Sequence, residues 1–412
     1  MRLHLPGRAK RERERALQQL RQEIRAFFAP VGEGKPLLLI AHEISPSGAS
    51  MLLLAIAERL VMRGYRIILM VNLGGNLWQE GIQALPEAVK VIPCAPGSEE
   101  TDVRMSAMYD AGVRWCIANT VVGGAFFPAL AAHGIRAVSL IHEMSASCGI
   151  LHAEPLVRAI CEHAAHVVFP AALVMESCLG FAGTKPRGEI HILPQGIYKN
   201  MPDDPRTVEE TRRAIRVRYG LPEDTWLMIG AGAINFGKGV DLLIPVLCEL
   251  RRREAASGRQ THVLWMGQPR GEAYEYWLKA QIRAAGLEDR WHWCGFIGDD
   301  ETYARHLRGS DVYAMVSRED SFPAVITEAI QMELPIVAFS GSGGGAELLE
   351  ERDWGYIVPS GDIAAYCDRL QWLRQHGEEA AARAGRAKEE AGECFVFDAY
   401  VDRLLSFMSE ET

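Results

Sequence analysis

The chain has 412 residues, 48% hydrophobic and 24% charged, with a formal net charge of −9. That length exceeds one hydrophobic core and asks for two or three domains, and the negative balance argues against a general nucleic-acid binder. Nine cysteines with no C-x-x-C pair and no His/Cys cluster at zinc spacing fit reduced thiols in a cytosolic protein, with no disulfide framework and no metal site expected.

Residues 1–35 form a basic arm, nine Lys and Arg against four Glu. Leu17, Leu20, Ile24, Phe27 and Phe28 recur at helical spacing, which predicts an amphipathic helix. Two readings stay open: a helix packed on the first domain, or a contact with anionic lipid or an anionic acceptor. Residues 1–26 lack the apolar core of a secretory signal, so a cytoplasmic protein is expected.

From Pro36 the chain alternates strand and helix. LLLIA (37–41) is a strand, HEISPSGAS a turn, 51–64 a helix and YRIILMV a second strand, which makes a βαβ unit. Its turn, with Ser47, Gly48 and Ala49, lacks G-x-G-x-x-G, so no dinucleotide fingerprint is present. Gly48 suits close approach of backbone to a ligand. Residues 115–135 carry no charge, but Asn119, Gly123, Gly124 and Pro128 argue for strand, turn and helix rather than a membrane span. Asn119-Thr120 and His142-Glu143 stand at the carboxyl ends of the strands 115–119 and 137–143, where ligands bind in open parallel sheets. Strands at 166–171 and 189–198 complete a first domain, 36–198. Residues 199–210, polar with Pro202 and Pro205, read as a hinge.

The second domain, 211–388, opens with a helix at 207–219 and a strand ending at Gly230. Asn235 stands where a third fingerprint glycine would be, so no dinucleotide fingerprint is present here either; Lys238 stands before Gly239, and a helix begins at Val240. A lysine there is a compact cation for a phosphate. Trp291 and Trp293 alternate as packing residues of a strand, and Gly295-Phe296 is a turn. The stretch 317–347, SREDSFPAVITEAIQMELPIVAFSGSGGGAE, is a polar turn, a helix, an apolar strand and a glycine-rich turn. Pro323 disfavours helix at Phe322 and can sit in the helix's first turn. Asp320 thus lies just before a helix start and Glu328 inside the helix. Free N–H groups there suit an anion, and the carboxylates suit hydroxyls. Residues 389–412 are a last helix with an apolar stripe of Phe395, Phe397, Tyr400, Val401, Leu404 and Leu405.

This second half resembles the retaining GT-B glycosyltransferases of family 4, the glycosyl transferases group 1. Asp320, Phe322 and Glu328 match the family's acid, aromatic and second acid; Lys238-Gly239 and the turn Gly343, Gly344, Gly345 with Glu347 follow the same order. The resemblance implies an α/β fold of two Rossmann-like domains facing a cleft, with the last helix crossing back to the first domain. It implies transfer of a sugar from a nucleoside-diphosphate sugar, UDP- or GDP-linked, to a glycan, lipid or small-molecule acceptor, with retention and without metal or cofactor. No D-x-D motif argues otherwise.

By the same resemblance Lys238 faces the leaving diphosphate, with the amides around Phe322, Pro323, Ala324 and Val325 and with Ser321 in the same loop. Asp320 or Glu319 reaches the sugar, Glu328 the ribose, and His142 lies near the donor sugar. Gly48 and Ala49 lie beside the diphosphate, Gly295 and Phe296 by the base, and Gly344 and Glu347 behind the donor. Family members often carry an Arg where Gly232 or Ala233 stands, so a replacement cation is sought in Arg270 or Arg318. They often carry Asn where Gln195 stands. The alternatives are a nucleotide-sugar 2-epimerase of the same architecture and a degenerate domain that only binds. For localisation, the cytoplasm is expected, with the inner membrane face reached only if the arm binds lipid.

Overall fold

The computed structural model describes residues 7–29, 34–269 and 271–409. They divide into two compact units, one reaching Pro194 and resuming at Phe397, the other running from Gln195 to Val396.

The first unit is built on seven strands: β1 Lys35–Ala41, β2 Tyr65–Asn72, β3 Val89–Cys94, β4 Trp115–Asn119, β5 Arg136–Leu140, β6 His166–Phe169 and β7 Glu189–Ile192. All pairs are parallel, in the order β3-β2-β1-β4-β5-β6-β7. The centres of β1 and β2 are buried without alternation, because helices cover both faces of a parallel sheet. The uncharged stretch 115–135 is β4, a tight turn Val121–Phe126 and a helix Phe127–Ala132. Among the described residues no helix is long and apolar enough to cross a membrane.

The basic arm is a helix, Gly7–Phe28, packed on the first unit. Ile24 is buried in that unit's core, with Phe27 and Phe28 packed beside it. Arg13 and Arg25 pair with Glu99 and Asp110 of the helix Glu99–Asp110. Arg11, Arg15 and Arg21 stay exposed. Arg2 and Glu33 of the arm lie outside the described residues.

The second unit has six parallel strands: β8 Trp226–Ala231, β9 Thr261–Met266, β10 Trp291–Gly295, β11 Val312–Met315, β12 Ile336–Phe339 and β13 Tyr356–Val358. Their order is β10-β9-β8-β11-β12-β13. Met228, Val263 and Val312 face one core, and Leu227, Ile229 and Tyr313 the other, the period-two alternation of a strand. Trp291 is buried and Trp293 packs against the first of these cores, as structural tryptophans.

The end of the chain differs from the expectation of one striped helix. A helix Gly377–Cys394 stops, and a second runs Phe397–Ser409. Phe395 does not join the last helix: it lies in a core of the second unit, beside Trp354 and Phe322. Phe397, Tyr400, Val401, Leu404 and Phe407 are the buried face of the last helix, which belongs to the first unit and is tied to it by Arg63 through Asp398 and Asp402.

In each sheet the chain order reverses once, between β1 and β4 and between β8 and β11. Loops leaving the carboxyl ends of such neighbours diverge and open a crevice, the ordinary place for a ligand in this kind of sheet.

Candidate functional site

In the second unit the loops after β8 and β11 carry Lys238 and Asp320. The Lys238 ammonium bonds the Asp320 carboxylate, and both side chains are mostly buried, 21% and 14% exposed. The Ser317 hydroxyl donates to the same carboxylate at 3.2 Å. Asp320 is therefore the acid that meets the lysine.

Two glycines make this pairing possible. Gly343 has φ +144°, and a Cβ there would come within 1.8 Å of the Asp320 carbonyl oxygen. The close approach lets the Asp320 N–H reach the Ser342 carbonyl and the Gly344 N–H reach the Ser321 carbonyl, both at 2.7 Å. Gly232 has φ +128°, and a Cβ on it would meet the Lys238 side chain at 2.9 Å. An arginine at 232 would thus be strained and would displace the lysine stem.

Lys238 does not open an α-helix directly. A single tight turn, Val240–Leu242, precedes the helix Leu243–Glu254. Its ammonium is set by Asp320 rather than by a helix start. Arg318 is engaged elsewhere: it grips Asp241 through two bonds of 2.8 and 2.7 Å and lies over the exposed Phe236 ring. Arg270 lies outside the described residues.

The helix Ala324–Gln331 follows Asp320, with Pro323 extended at its start. Glu328 is buried in it and accepts a 2.7 Å hydrogen bond from the Tyr303 hydroxyl. Burial raises the Glu328 carboxyl above its ordinary range, while the Tyr303 bond and the charges of Lys199 and Lys238 pull the other way. Tyr198 also feels the Glu328 charge, and burial holds its phenol high. Neither tyrosine carries a sequence signal, because each meets Glu328 only through the packing of separate segments.

The Phe322 ring is buried in the core, and its carbonyl accepts from Gln195 at 3.1 Å. Only its backbone can serve a ligand. Ser321, Ala324 and Glu319 are half-buried, and Val325 is buried. Phe296 is 57% exposed beside Gly295, whose φ is +70°. Gly344 begins the helix Gly344–Glu351, and Glu347 is half-buried in its first turn.

The first unit holds a separate polar cluster at its own reversal point. The His142 ring nitrogen Nε2 lies 2.9 Å from the Asn119 carboxamide oxygen, and the Asn119 amide donates to the Ala49 carbonyl at 2.9 Å. Gly48 is exposed at the start of the helix Gly48–Met62. The Glu143 carboxylate accepts from the Val121 and His142 N–H groups at 3.0 and 3.1 Å. Burial, with His42 nearby, pushes the His142 imidazolium down to about 4. Burial pushes the Glu143 carboxyl up to about 7 against those N–H bonds. Thr120, at φ +73°, holds the turn between them. Glu143 and Asn119 are the members of this cluster that sequence placed at strand ends without a role.

Residues 211–390 match the family model for glycosyl transferases group 1. A D-inositol 3-phosphate glycosyltransferase of Xylanimonas cellulosilytica is 30% identical over 208 residues, 48% of this chain and 46% of that protein. A mannosylfructose-phosphate synthase of Agrobacterium fabrum is 30% identical over 157 residues, 37% and 32% of the two chains. The chain thus spans about half, or less, of the curated relatives it matches. Among solved structures, Anabaena HepE in complex with UDP-glucose superposes with a TM-score of 0.73 at 19% identity, covering 91% of this chain and 99% of that one. Sucrose-phosphate synthase of Thermosynechococcus elongatus gives 0.71 at 17%, covering 91% and 98%. The fold is that of the GT-B class, with two Rossmann-like parallel sheets.

Proposed function

We propose that the chain is a glycosyltransferase that takes a sugar from a nucleoside-diphosphate sugar, UDP- or GDP-linked, and transfers it with retention to a glycan, lipid or small-molecule acceptor. The observation that carries this reading is the Lys238–Asp320 pair at the β8/β11 reversal, with the buried Glu328 on the helix that follows. The group 1 family match over 211–390 and the likeness to a UDP-glucose complex support it.

Each partner of that pair has a use for one part of such a donor. The Lys238 ammonium neutralises the diphosphate, and the freed Asp320 carboxylate, or Glu319, accepts hydroxyls of the sugar. The N–H groups at the start of the Ala324–Gln331 helix add to the phosphate site. Glu328, oriented by Tyr303, holds the ribose hydroxyls. As the sugar–oxygen bond breaks, the sugar becomes cationic and charge grows on the diphosphate. A cation held ready for that charge lowers the barrier more than it tightens ground-state binding. No metal is assigned a part.

The family resemblance assigns His142 a role toward the donor sugar, and Gly48 and Ala49 a role toward the diphosphate. Gly295 and Phe296 meet the base, and Gly344 and Glu347 close the donor side. The exposed arginines of the arm offer a peripheral contact with anionic lipid on the inner membrane face. Incubation with a panel of UDP-, GDP- and ADP-sugars, followed by nucleotide release and the anomeric configuration of the product, tests the proposal. Turnover of a donor with retention supports it; a product epimerised at C2 of the sugar, or binding without release, overturns it.

A further inference from the structure

At the opposite end of the first sheet from the polar cluster, three potential ligands converge. β6 and β7 pair in parallel with His166 beside Glu189 and Val168 beside His191. Paired residues in a parallel sheet face the same side, and so do residues two apart on one strand. His166, Glu189 and His191 therefore share one face, at the amino ends of an edge strand and its neighbour.

Their donor atoms meet. His166 Nδ1 lies 3.1 Å from His191 Nε2, and the two nitrogens lie 3.8 and 3.7 Å from a Glu189 oxygen. Four ligands at ordinary zinc distances around a tetrahedral ion stand roughly 3.3 Å apart. The triangle here is within a few tenths of an ångström of that on every side. The rings are also held. Phe407, on the last helix, stacks on His191 with centroids 3.9 Å apart and on His166 at 5.3 Å, and Trp115 of β4, two strands away, stacks on His166 at 6.0 Å. His166 is buried and Glu189 reaches solvent. That arrangement gives two fixed imidazoles, one carboxylate able to close on the ion, and an approach from water.

We infer that His166 Nδ1, His191 Nε2 and the Glu189 carboxylate bind a divalent transition cation of the zinc class, with the fourth position left to water. Two imidazoles and one carboxylate select that class over calcium or magnesium, which prefer oxygen alone. The site ties β7 to β6 and fixes the rings against which the last helix packs. Within the first unit it stands at the other end of the sheet from Asn119 and His142, so the cation acts on stability rather than on turnover.

The test uses Co²⁺ alone as probe on the full-length chain freed of metal with a chelator. One equivalent should bind, with the visible absorption of a four-coordinate cobalt site, a rise in Tm and release of protons that strengthens binding as pH rises. Glu189→Gln, at an exposed position that keeps the fold, should weaken binding about tenfold or more, and Glu189→Gln with His191→Gln about a hundredfold or more. His292→Gln, in the second unit's own histidine pair with His262, should leave it unchanged. Absence of Co²⁺ binding at micromolar concentration, or equal uptake by wild type and the double variant, overturns the inference. In that outcome the two histidines are only a hydrogen-bonded pair.

Discussion

Lys238 and Asp320, 82 residues apart in sequence, form an ion pair at the point where the second sheet reverses its strand order. The pair keeps each charge satisfied while no ligand is present, since one of these charges left alone in a mostly buried place would be costly. It also sets the order of events proposed for the donor. The diphosphate replaces Asp320 on the ammonium, and Asp320 becomes available to the sugar.

Lys238→Ala should lower kcat by about 10²–10³, the usual effect of losing one preorganised electrostatic donor. Donor KM should change much less, because leaving-group charge is largest in the transition state. Arg318→Ala should keep most turnover, since its guanidinium is spent on Asp241. Steady-state kinetics of both variants check this. Turnover that survives in the lysine variant and collapses in the arginine variant would move the assignment to Arg318.

Glu328→Ala should weaken binding of the free nucleoside diphosphate by about 1.5–3 kcal/mol, the value of a hydrogen bond to a charged group. Tyr303→Phe removes the hydroxyl that orients that carboxylate and should weaken it by about 0.5–1.5 kcal/mol. Nucleotide affinity measured with a fluorescent analogue, alongside circular dichroism to verify folding, decides it. A fully folded Glu328→Ala with wild-type affinity would remove Glu328 from the ribose.

Sequence reading reached the strands of both sheets, because apolar runs are local signals, but not their order or the two reversal points, which long-range pairing decides; Lys238, Asp320 and Glu328 are singled out by a resemblance carried on short local motifs. It did not reach Tyr303, which bonds Glu328 only after separate segments pack, or Tyr198, whose phenol feels the Glu328 charge. It also joined Phe395 to the last helix, since Phe395 and Phe397 look alike in a stripe. The backbone leaves the helix at Cys394, and the two phenylalanines enter different cores. The helix Glu99–Asp110 carried a readable start, Ser98 accepting from Thr101 with three acids in the first turn, but its periodicity is weak.

Stability of the first unit should depend on pH through Glu143. Its carboxyl titrates near 7 in the folded chain against an ordinary value near 4.5. The folded state therefore holds more protons than the unfolded one between those values, and the Glu143 contribution falls as pH rises through about 4.5 to 7. His142 acts in the other direction: held near 4 against 6.5, it destabilises as pH falls through that window. Glu143→Gln keeps an oxygen for the Val121 and His142 N–H groups and should gain Tm relative to wild type at pH 8 but not at pH 4.5. Equal Tm differences at the two values would show that Glu143 does not titrate there.

Gly343→Ala should destabilise the second unit by about 3 kcal/mol or more, because φ +144° and the Asp320 carbonyl both exclude a Cβ. Gly361→Ala shares the positive φ, at +74°, but meets nothing within 4 Å. It should cost only the conformational term, about 1–2 kcal/mol. Urea denaturation of the two variants separates the clash from the backbone cost, and equal losses would show that the glycine turn does not press on the Asp320 loop.

The central claim is that Lys238 and Glu328 belong to one nucleoside-diphosphate site. Isothermal titration of UDP, GDP and ADP into wild type, Lys238→Ala and Glu328→Ala measures it most directly. One of the three nucleotides should bind wild type with one site per chain, and each folded variant should bind it at least about tenfold more weakly. Binding of none of them, or equal binding by wild type and both variants, would contradict the claim.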